Sequence, residues 1–276
     1  MMSKPQLTSK SAAQVREFFN TFAHAKNALL LLDYDGTLAP FRVDRFKAHP
    51  WAGVRELLNR IRCPEGSSLE TRIVFISGRP AAEIGPLLGL NHPVEVWGLH
   101  GAERLHEDGR RELDEPPAAT RTKLDELRAE LRRDSFGGLF EDKPNAVVMH
   151  WRGASAAAAQ KIAARTRVLF EPLTHLDGLK LLEFESGLEL RAGRDKGGAV
   201  GAILAREAED SARGPVAFLG DDITDEAAFL SVNASIRPHL TALVKRVHRK
   251  TAAGVWLQPP GELRDFLRRW IAACAR

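Results

Sequence analysis

The sequence predicts an α/β protein: a doubly wound parallel sheet with a smaller α+β domain inserted into it. Three observations carry that expectation. Short apolar runs recur along the chain, each breaks off in a polar cluster, and helical patterns separate them. Strands buried on both faces of a parallel sheet read as such runs, because apolar-polar alternation disappears there. Strand and helix in turn are the signature of βαβ units. Ligands in that architecture gather beyond the carboxyl ends of the strands.

Each element has its own signal. A polar lead-in runs to residue 27, with a short helix expected over 12–24, where Phe18, Phe19 and Phe22 fall at helical spacing and read as packing. Residues 28–32 form a continuous apolar run that stops at Asp33-Tyr34-Asp35-Gly36-Thr37. A helix over 52–61 leads to a second run, 72–76, ending at Ser77-Gly78-Arg79. Another helix, 81–88, leads to a short strand over 94–97, ending at Gly98 to Glu103. The middle differs: helices over 118–133 and 154–170 are mixed with strand-like runs over 146–151 and 180–184, which suits a small α+β domain. After Asp195-Lys196-Gly197 the first pattern returns, with a helix over 198–209 and a run over 215–219 ending at Gly220-Asp221-Asp222. Residues 235–237 and 254–256 read as turns, and a helix over 261–273 closes the chain. The expected organisation is therefore a discontinuous core, 1–106 with 191–276, and an inserted domain, 107–190.

Length and composition narrow the function classes. At 276 residues the chain is worth about two domains of ~150 residues, enough for a sizeable core. The 40 basic and 36 acidic residues are dispersed, which argues against a nucleic-acid partner and leaves room for a few cations around a small anionic substrate. The run over 28–32 is far short of the ~20 apolar residues of a membrane span. The N-terminus lacks the apolar centre of a secretory signal. Cys63 and Cys274 match no metal or redox spacing and read as inert thiols of a reducing compartment, so a cytoplasmic location is expected. His106, His175 and His248 lie among polar residues and read as surface positions. A small-molecule substrate is the expected partner, with no membrane, and a monomer is the expected state.

Two acidic clusters carry the chemistry. Asp33-x-Asp35-Gly36-Thr37 places two carboxylates two residues apart at a strand end, where Gly36 permits a sharp turn and Thr37 offers a hydroxyl. An Asp-Gly turn alone explains such a sequence in many loops. Its chance occurrence, however, is roughly 10⁻⁵ per position at average composition. Paired carboxylates divide the work when their surroundings separate their pKa values: one is nucleophile or metal ligand, the other moves a proton. In Gly220-Asp221-Asp222-Ile223-Thr224-Asp225-Glu226, a helix N-terminus accounts for Asp225 and Glu226 but poorly for Asp221. Oxygen ligands crowded there suit a hard cation such as Mg²⁺. Ser77-Gly78-Arg79 and Lys196 supply a hydroxyl, amides and cations for an anion.

Taken in order, Asp33 to Pro40, Ser77 to Arg79, Lys196-Gly197 and Gly220 to Glu226 resemble the four motifs of the haloacid dehalogenase (HAD) superfamily of phosphatases. Gly98-Leu99-His100-Gly101-Ala102-Glu103, Glu141-Asp142-Lys143 and Met149-His150-Trp151-Arg152 resemble its trehalose-6-phosphate phosphatase branch. That resemblance implies Asp33 as nucleophile and Asp35 as general acid/base. Thr37, Ser77, Gly78, Arg79 and Lys196 would surround the phosphoryl group. Mg²⁺ would rest on Asp33, the Asp35 carbonyl and Asp221, with Asp222 or Asp225 in support. The inserted domain would be a cap reading the sugar through Glu141, Lys143, Arg152 and Glu189, with His100 and Glu103 of the core. The stretch Glu189-Leu190-Arg191-Ala192 is one residue shorter than the branch's usual pattern, and Ala227 stands where a further acid is common. A phosphatase for sucrose phosphate or glucosylglycerol phosphate, and a non-catalytic sugar-phosphate sensor, are the alternatives. Loss of Asp33 or Asp35 would favour the sensor, and both are present.

Overall fold

The computed structural model describes residues 4–62, 69–133, 139–176, 178–184, 186–207 and 214–275, so Cys63 lies outside the described residues. The chain forms two compact units, Met1–Glu112 with Asp195–Arg276, and Leu113–Arg194. It begins with α1 (Lys4–Asn20), β1 (Asn27–Leu32), α2 (Val54–Arg62), β2 (Glu70–Ile76), α3 (Ala81–Leu88), β3 (Glu95–Gly98), β4 (Glu103–Leu105) and β5 (Arg111–Leu113). The inserted unit holds α4 (Ala118–Arg133), β6 (Phe140–Lys143), β7 (Ala146–His150), α5 (Ala156–Phe170), β8 (Leu179–Phe184) and β9 (Gly187–Ala192). The chain returns through α6 (Lys196–Glu207), β10 (Val216–Gly220), α7 (Glu226–Asn233), β11 (His239–Val244), β12 (Val255–Leu257) and α8 (Gly261–Cys274).

The core sheet runs β12-β11-β10-β1-β2-β3-β4-β5. Strands β12 through β3 are parallel, and β4 turns antiparallel against β3. Order reverses about β1: β2 and β3 extend to one side and β10, β11 and β12 to the other. That makes the carboxyl end of β1 the switch point where such sheets bind ligands.

The five apolar residues of β1 explain its central place, since successive side chains face opposite layers. Leu30 and Leu32 pack in a cluster with Phe18, Phe22, Leu58, Ile84, Phe266 and Trp270, drawn from α1, the turn after it, α2, α3 and α8. Leu29 and Leu31 face the other way, against Val200 and Ile203 of α6 and Phe229 and Val232 of α7. All four leucines are fully buried, each worth about 1.5–3 kcal/mol on transfer from water. The expected aromatic packing is present, with Phe22 edge-on to Trp270 at 4.9 Å.

In the inserted unit, four antiparallel strands run β6-β7-β9-β8. One face carries Val147, Met149, Leu188 and Leu190, which pack with Leu124, Leu127 and Leu131 of α4 and Ile162 and Phe170 of α5. Residues directly opposite on neighbouring strands share a face. Glu141, Val148 and Glu189 are aligned in that way on the other face, and Lys143, two residues from Glu141, joins them.

Several expectations need correction. Residues 254–256, read as a turn, lead into and form part of β12, and β11 was not foreseen. Neither has a five-residue apolar run, because β11 is interrupted by Thr241 and β12 has only three residues. The helix expected over 198–209 starts at Lys196, and its last two residues lie outside the described ones. The first helix begins at Lys4 rather than residue 12. His106 is partly buried rather than free on the surface, with Nε2 2.9 Å from Glu112.

Candidate active site

Four parallel strands deliver their polar ends to one edge of the core sheet. Asp33 follows β1, and its backbone N–H continues the ladder to Leu219 of β10 at 2.9 Å. Its carboxylate is buried, with Oδ1 accepting from Lys196 Nζ at 2.6 Å and Oδ2 from the Thr37 hydroxyl at 3.0 Å. Lys196, the first residue of α6, also donates to Asp225 Oδ1 at 2.7 Å. Asp225 Oδ2 accepts from the amides of Asp221 and Asp222, both at 2.9 Å. Asp225 thus fixes both the lysine and the loop after β10, and both its oxygens are in use.

Asp33, Asp221 and Asp225 bring carboxylate oxygens within 4.8 Å of one another, all buried. Burial pushes the Asp33 carboxyl well above the usual carboxylate range; Lys196 opposes this, while Asp225 and Asp221 add to it. Burial also pushes Asp221 up to about 7, with Asp225 adding to the shift and Lys245 opposing it. Burial would lower the Lys196 ammonium, but Asp225 and Asp33 outweigh that and hold it above its ordinary value. Asp221 Oδ1 is buried with no hydrogen-bond partner among the described residues. An orphaned buried carboxylate oxygen beside a second carboxylate is costly unless a cation meets it. Hard oxygen donors in that arrangement fit a divalent cation such as Mg²⁺. Asp221 Oδ1 is the oxygen of the three carboxylates that nothing meets among the described residues, while each Asp33 oxygen accepts a single hydrogen bond. Asp222 is exposed, and its side chain caps the Ile223 amide at 2.6 Å.

Asp35, two residues beyond Asp33, is gripped by Arg79. The guanidinium donates through Nε to Asp35 Oδ2 and through Nη2 to Oδ1, both at 2.6 Å. Its remaining arm donates to the Arg45 carbonyl at 2.8 Å. Arg79 was expected among the phosphate contacts; here its donors serve Asp35 and the loop after β1. Ser77, after β2, is buried and its hydroxyl accepts from the Arg79 amide at 3.2 Å. The His100 amide donates to the Ser77 carbonyl at 2.8 Å, and the His100 ring lies over Gly78, where a Cβ would meet it at 2.7 Å. His100 itself sits at φ +60°, a backbone region few non-glycine residues occupy and one frequent at functional sites. Glu103 is fully engaged inside the core unit. One oxygen accepts from the Ala81 amide at the start of α3 at 2.7 Å, and the other from Arg111. Its carboxylate caps a helix there.

One cation escaped the sequence reading. Lys245, directly after β11, places Nζ 3.4 Å from Asp221 Oδ2 and 3.3 Å from the Asp221 carbonyl oxygen. With β11 unrecognised, nothing marked Lys245 as a strand-end residue.

The other expected residues belong to the inserted unit. Glu189 is buried, its Oε1 has no hydrogen bond among the described residues, and Lys143 Nζ is 3.7 Å from that oxygen. Glu141 Oε2 lies 3.1 Å from His150 Nε2. Arg152 is exposed in the turn after β7.

An α/β core with an α+β insertion is a fold that this chain shares with solved haloacid dehalogenase-like proteins. A haloacid dehalogenase-like hydrolase from B. subtilis shares the fold at a TM-score of 0.57 and 16% identity, over 87% of this chain and 98% of that one. The chain belongs to the Trehalose-phosphatase family, whose profile matches residues 31–258. Trehalose-phosphate phosphatase of Mycobacterium marinum (strain ATCC BAA-535 / M) is 31% identical over 255 residues, 87% of this chain and 60% of the relative. That of Mycobacterium tuberculosis (strain ATCC 25618 / H37Rv) is 30% identical over 260 residues, 89% of this chain and 61% of the relative. The chain therefore spans about 60% of the length of these relatives. Among solved structures, Aspergillus fumigatus trehalose-6-phosphate phosphatase has a TM-score of 0.71 at 21% identity, covering 94% of this chain and 97% of that one. No described helix is long and apolar enough to cross a membrane.

Proposed function

We propose that the chain hydrolyses trehalose 6-phosphate to trehalose and phosphate through an aspartyl-phosphate, as the last step of trehalose formation. The observation that supports this best is the buried Asp33 carboxylate, held between Lys196 and Thr37 with Asp35 two residues on. An Asp33 oxygen attacks phosphorus in line, and the bond to the sugar oxygen breaks. Asp35 gives that oxygen a proton, then takes one from the water that cleaves the aspartyl-phosphate. Two easier displacements replace one difficult one. Both Asp35 oxygens accept from Arg79, so Asp35 must leave at least one of those bonds to move a proton. Lys196 offsets charge on the phosphoryl oxygens, and Thr37, Ser77 and the amides near Gly78 orient them. Asp33 and Asp221, with the Asp35 carbonyl and support from Asp225 or Asp222, would hold Mg²⁺. When bound, the cation neutralises phosphoryl charge.

The inserted unit, taken as 107–190, supplies sugar recognition in this reading. Glu141, Lys143 and Glu189 share the face of its sheet that does not carry the α4 and α5 packing, and Arg152 is exposed in the turn after β7. In this reading the chain acts in the cytoplasm as a monomer.

A phosphate-release screen over sugar phosphates and p-nitrophenyl phosphate, with Mg²⁺, tests the proposal. Trehalose 6-phosphate should be the preferred substrate, and Asp33→Asn should lower release on every substrate by at least about 10³-fold. Glu141→Ala should lower kcat/KM on trehalose 6-phosphate by roughly 10–100-fold, the worth of one charge-assisted hydrogen bond, and leave p-nitrophenyl phosphate nearly unchanged. Preference for another sugar phosphate would reassign the specificity. Release that survives Asp33→Asn would reject the covalent mechanism.

A further inference from the structure

We infer that Lys245 is a built-in counter-ion to Asp221 that sets how tightly the acidic cluster takes a divalent cation. The inference rests on the reading of that cluster as a cation site. Compensation of charge in the cluster is uneven. The buried Lys196 is spent on Asp33 and Asp225, at 2.6 and 2.7 Å. Asp225 is further neutralised by two backbone amides. Asp221 keeps one buried oxygen without a hydrogen bond among the described residues, and its other oxygen faces Lys245 Nζ at 3.4 Å.

The lysine is anchored at its backbone and loose at its tip. Its N–H donates to Leu257 at 3.0 Å, and its carbonyl accepts from Trp256 Nε1 at 2.7 Å. The side chain is 39% exposed, against 3% for Asp221. The ammonium can therefore turn toward Asp221 or out into water without moving β11. Its neighbours in the loop are committed elsewhere. Arg246 lies over the Trp51 ring at 5.8 Å, and Arg249 pairs with Glu226 and donates to the Asp222 carbonyl at 2.7 Å.

A single positive charge at this place has two opposite effects. It stabilises Asp221 when no cation is bound, and it repels a divalent cation that approaches the same carboxylate. Both effects are Coulombic and screened by the water around the ammonium, so each is modest. Removing the charge should leave a cluster that binds a divalent cation more tightly.

Titration calorimetry of Mg²⁺ and of Mn²⁺ into the full chain, backed by electron paramagnetic resonance of free Mn²⁺, measures this without turnover. Lys245→Gln should bind both cations about 3–10-fold more tightly than the unaltered chain at low salt, a gap that closes at high salt. Lys245→Arg should stay within about twofold of the unaltered chain, since the charge remains. Unchanged or weaker binding in Lys245→Gln overturns the inference. So does a loss of inorganic phosphate affinity with unchanged cation affinity, which would make Lys245 an anion ligand. Asp221→Asn is the separate control. If it binds cations as the unaltered chain does, the cation-site reading fails first, whatever Lys245 does.

Discussion

Gly36 sits at φ +80°, and a Cβ there would lie 2.2 Å from Asp221 Oδ2. The position excludes a side chain twice, by backbone conformation and by the approach of the second acidic loop. Gly36→Ala should fold, because the clash is confined to the sheet's edge, while phosphate release falls by about 100-fold, the usual cost of an ångström of misplacement in a reacting group. Circular dichroism and phosphate release on the same sample check both halves, and near-normal turnover would show that Asp221 yields freely. The sequence made Gly36 legible as a turn residue but not as the neighbour of Asp221, which only the pairing of β1 with β10 brings close. Arg79 shows the same limit. A guanidinium at a strand end was legible as a partner for an anion, but which anion it meets depends on a loop whose path no local pattern encodes. It meets Asp35.

Charged groups also gather at the opposite end of the strands, where they satisfy one another. Glu95, at the start of β3, accepts from Arg72 of β2 at 2.5 Å, Arg104 of β4 at 2.8 Å and Trp97 Nε1 at 3.0 Å. It is 5% exposed, and burial alone would raise its carboxyl, but Arg72 and its other partners bring it below the ordinary value. Glu95→Ala would leave two partly buried guanidiniums facing an unpaired gap. It should destabilise the core by about 3–5 kcal/mol, the cost of breaking a buried pair from one side. Urea unfolding of the variant measures this, and a loss under 1 kcal/mol would mean that water and the bond Arg72 already makes to Glu207 suffice for the arginines. Strands were legible where an unbroken apolar run fills both faces, not wherever both faces are buried, since β9 is buried along its whole length. The runs forming β1, β2 and β10 stood out. By contrast β9 alternates leucine with Glu189 and Arg191, and β6 is three charged residues after a phenylalanine, so neither has an apolar run to find.

For the molecule as a whole, the ionisable groups of the core set opposite slopes of stability with pH. Glu95 and Glu226 have lowered values in the fold, so their stabilisation is present above the ordinary glutamate range and is lost as pH falls through the folded values. Asp33 and Asp221 have raised values, so the fold holds protons that the unfolded chain releases. For Asp221, stability is present below about 3.8 and is lost as pH rises toward about 7. Lys196 has a raised value too, and its contribution lasts until pH climbs above the ordinary lysine range. Cation-free protein should therefore be most stable in mild acid and weaken between about pH 5 and 8, within the window set by Asp221. A cation at the cluster binds the ionised carboxylates and not the unfolded chain, so excess Mg²⁺ should restore stability mainly at the neutral end. Four of the five tryptophans, Trp51, Trp97, Trp256 and Trp270, lie in the core unit, so intrinsic fluorescence follows the part that holds these groups. Urea midpoints from pH 4 to 8, in EDTA and in Mg²⁺, should diverge as pH rises. If the EDTA midpoints stay level or climb from pH 5 to 8, the buried carboxylates already have their counter-charge, and neither a cation nor Lys245 is needed to supply it.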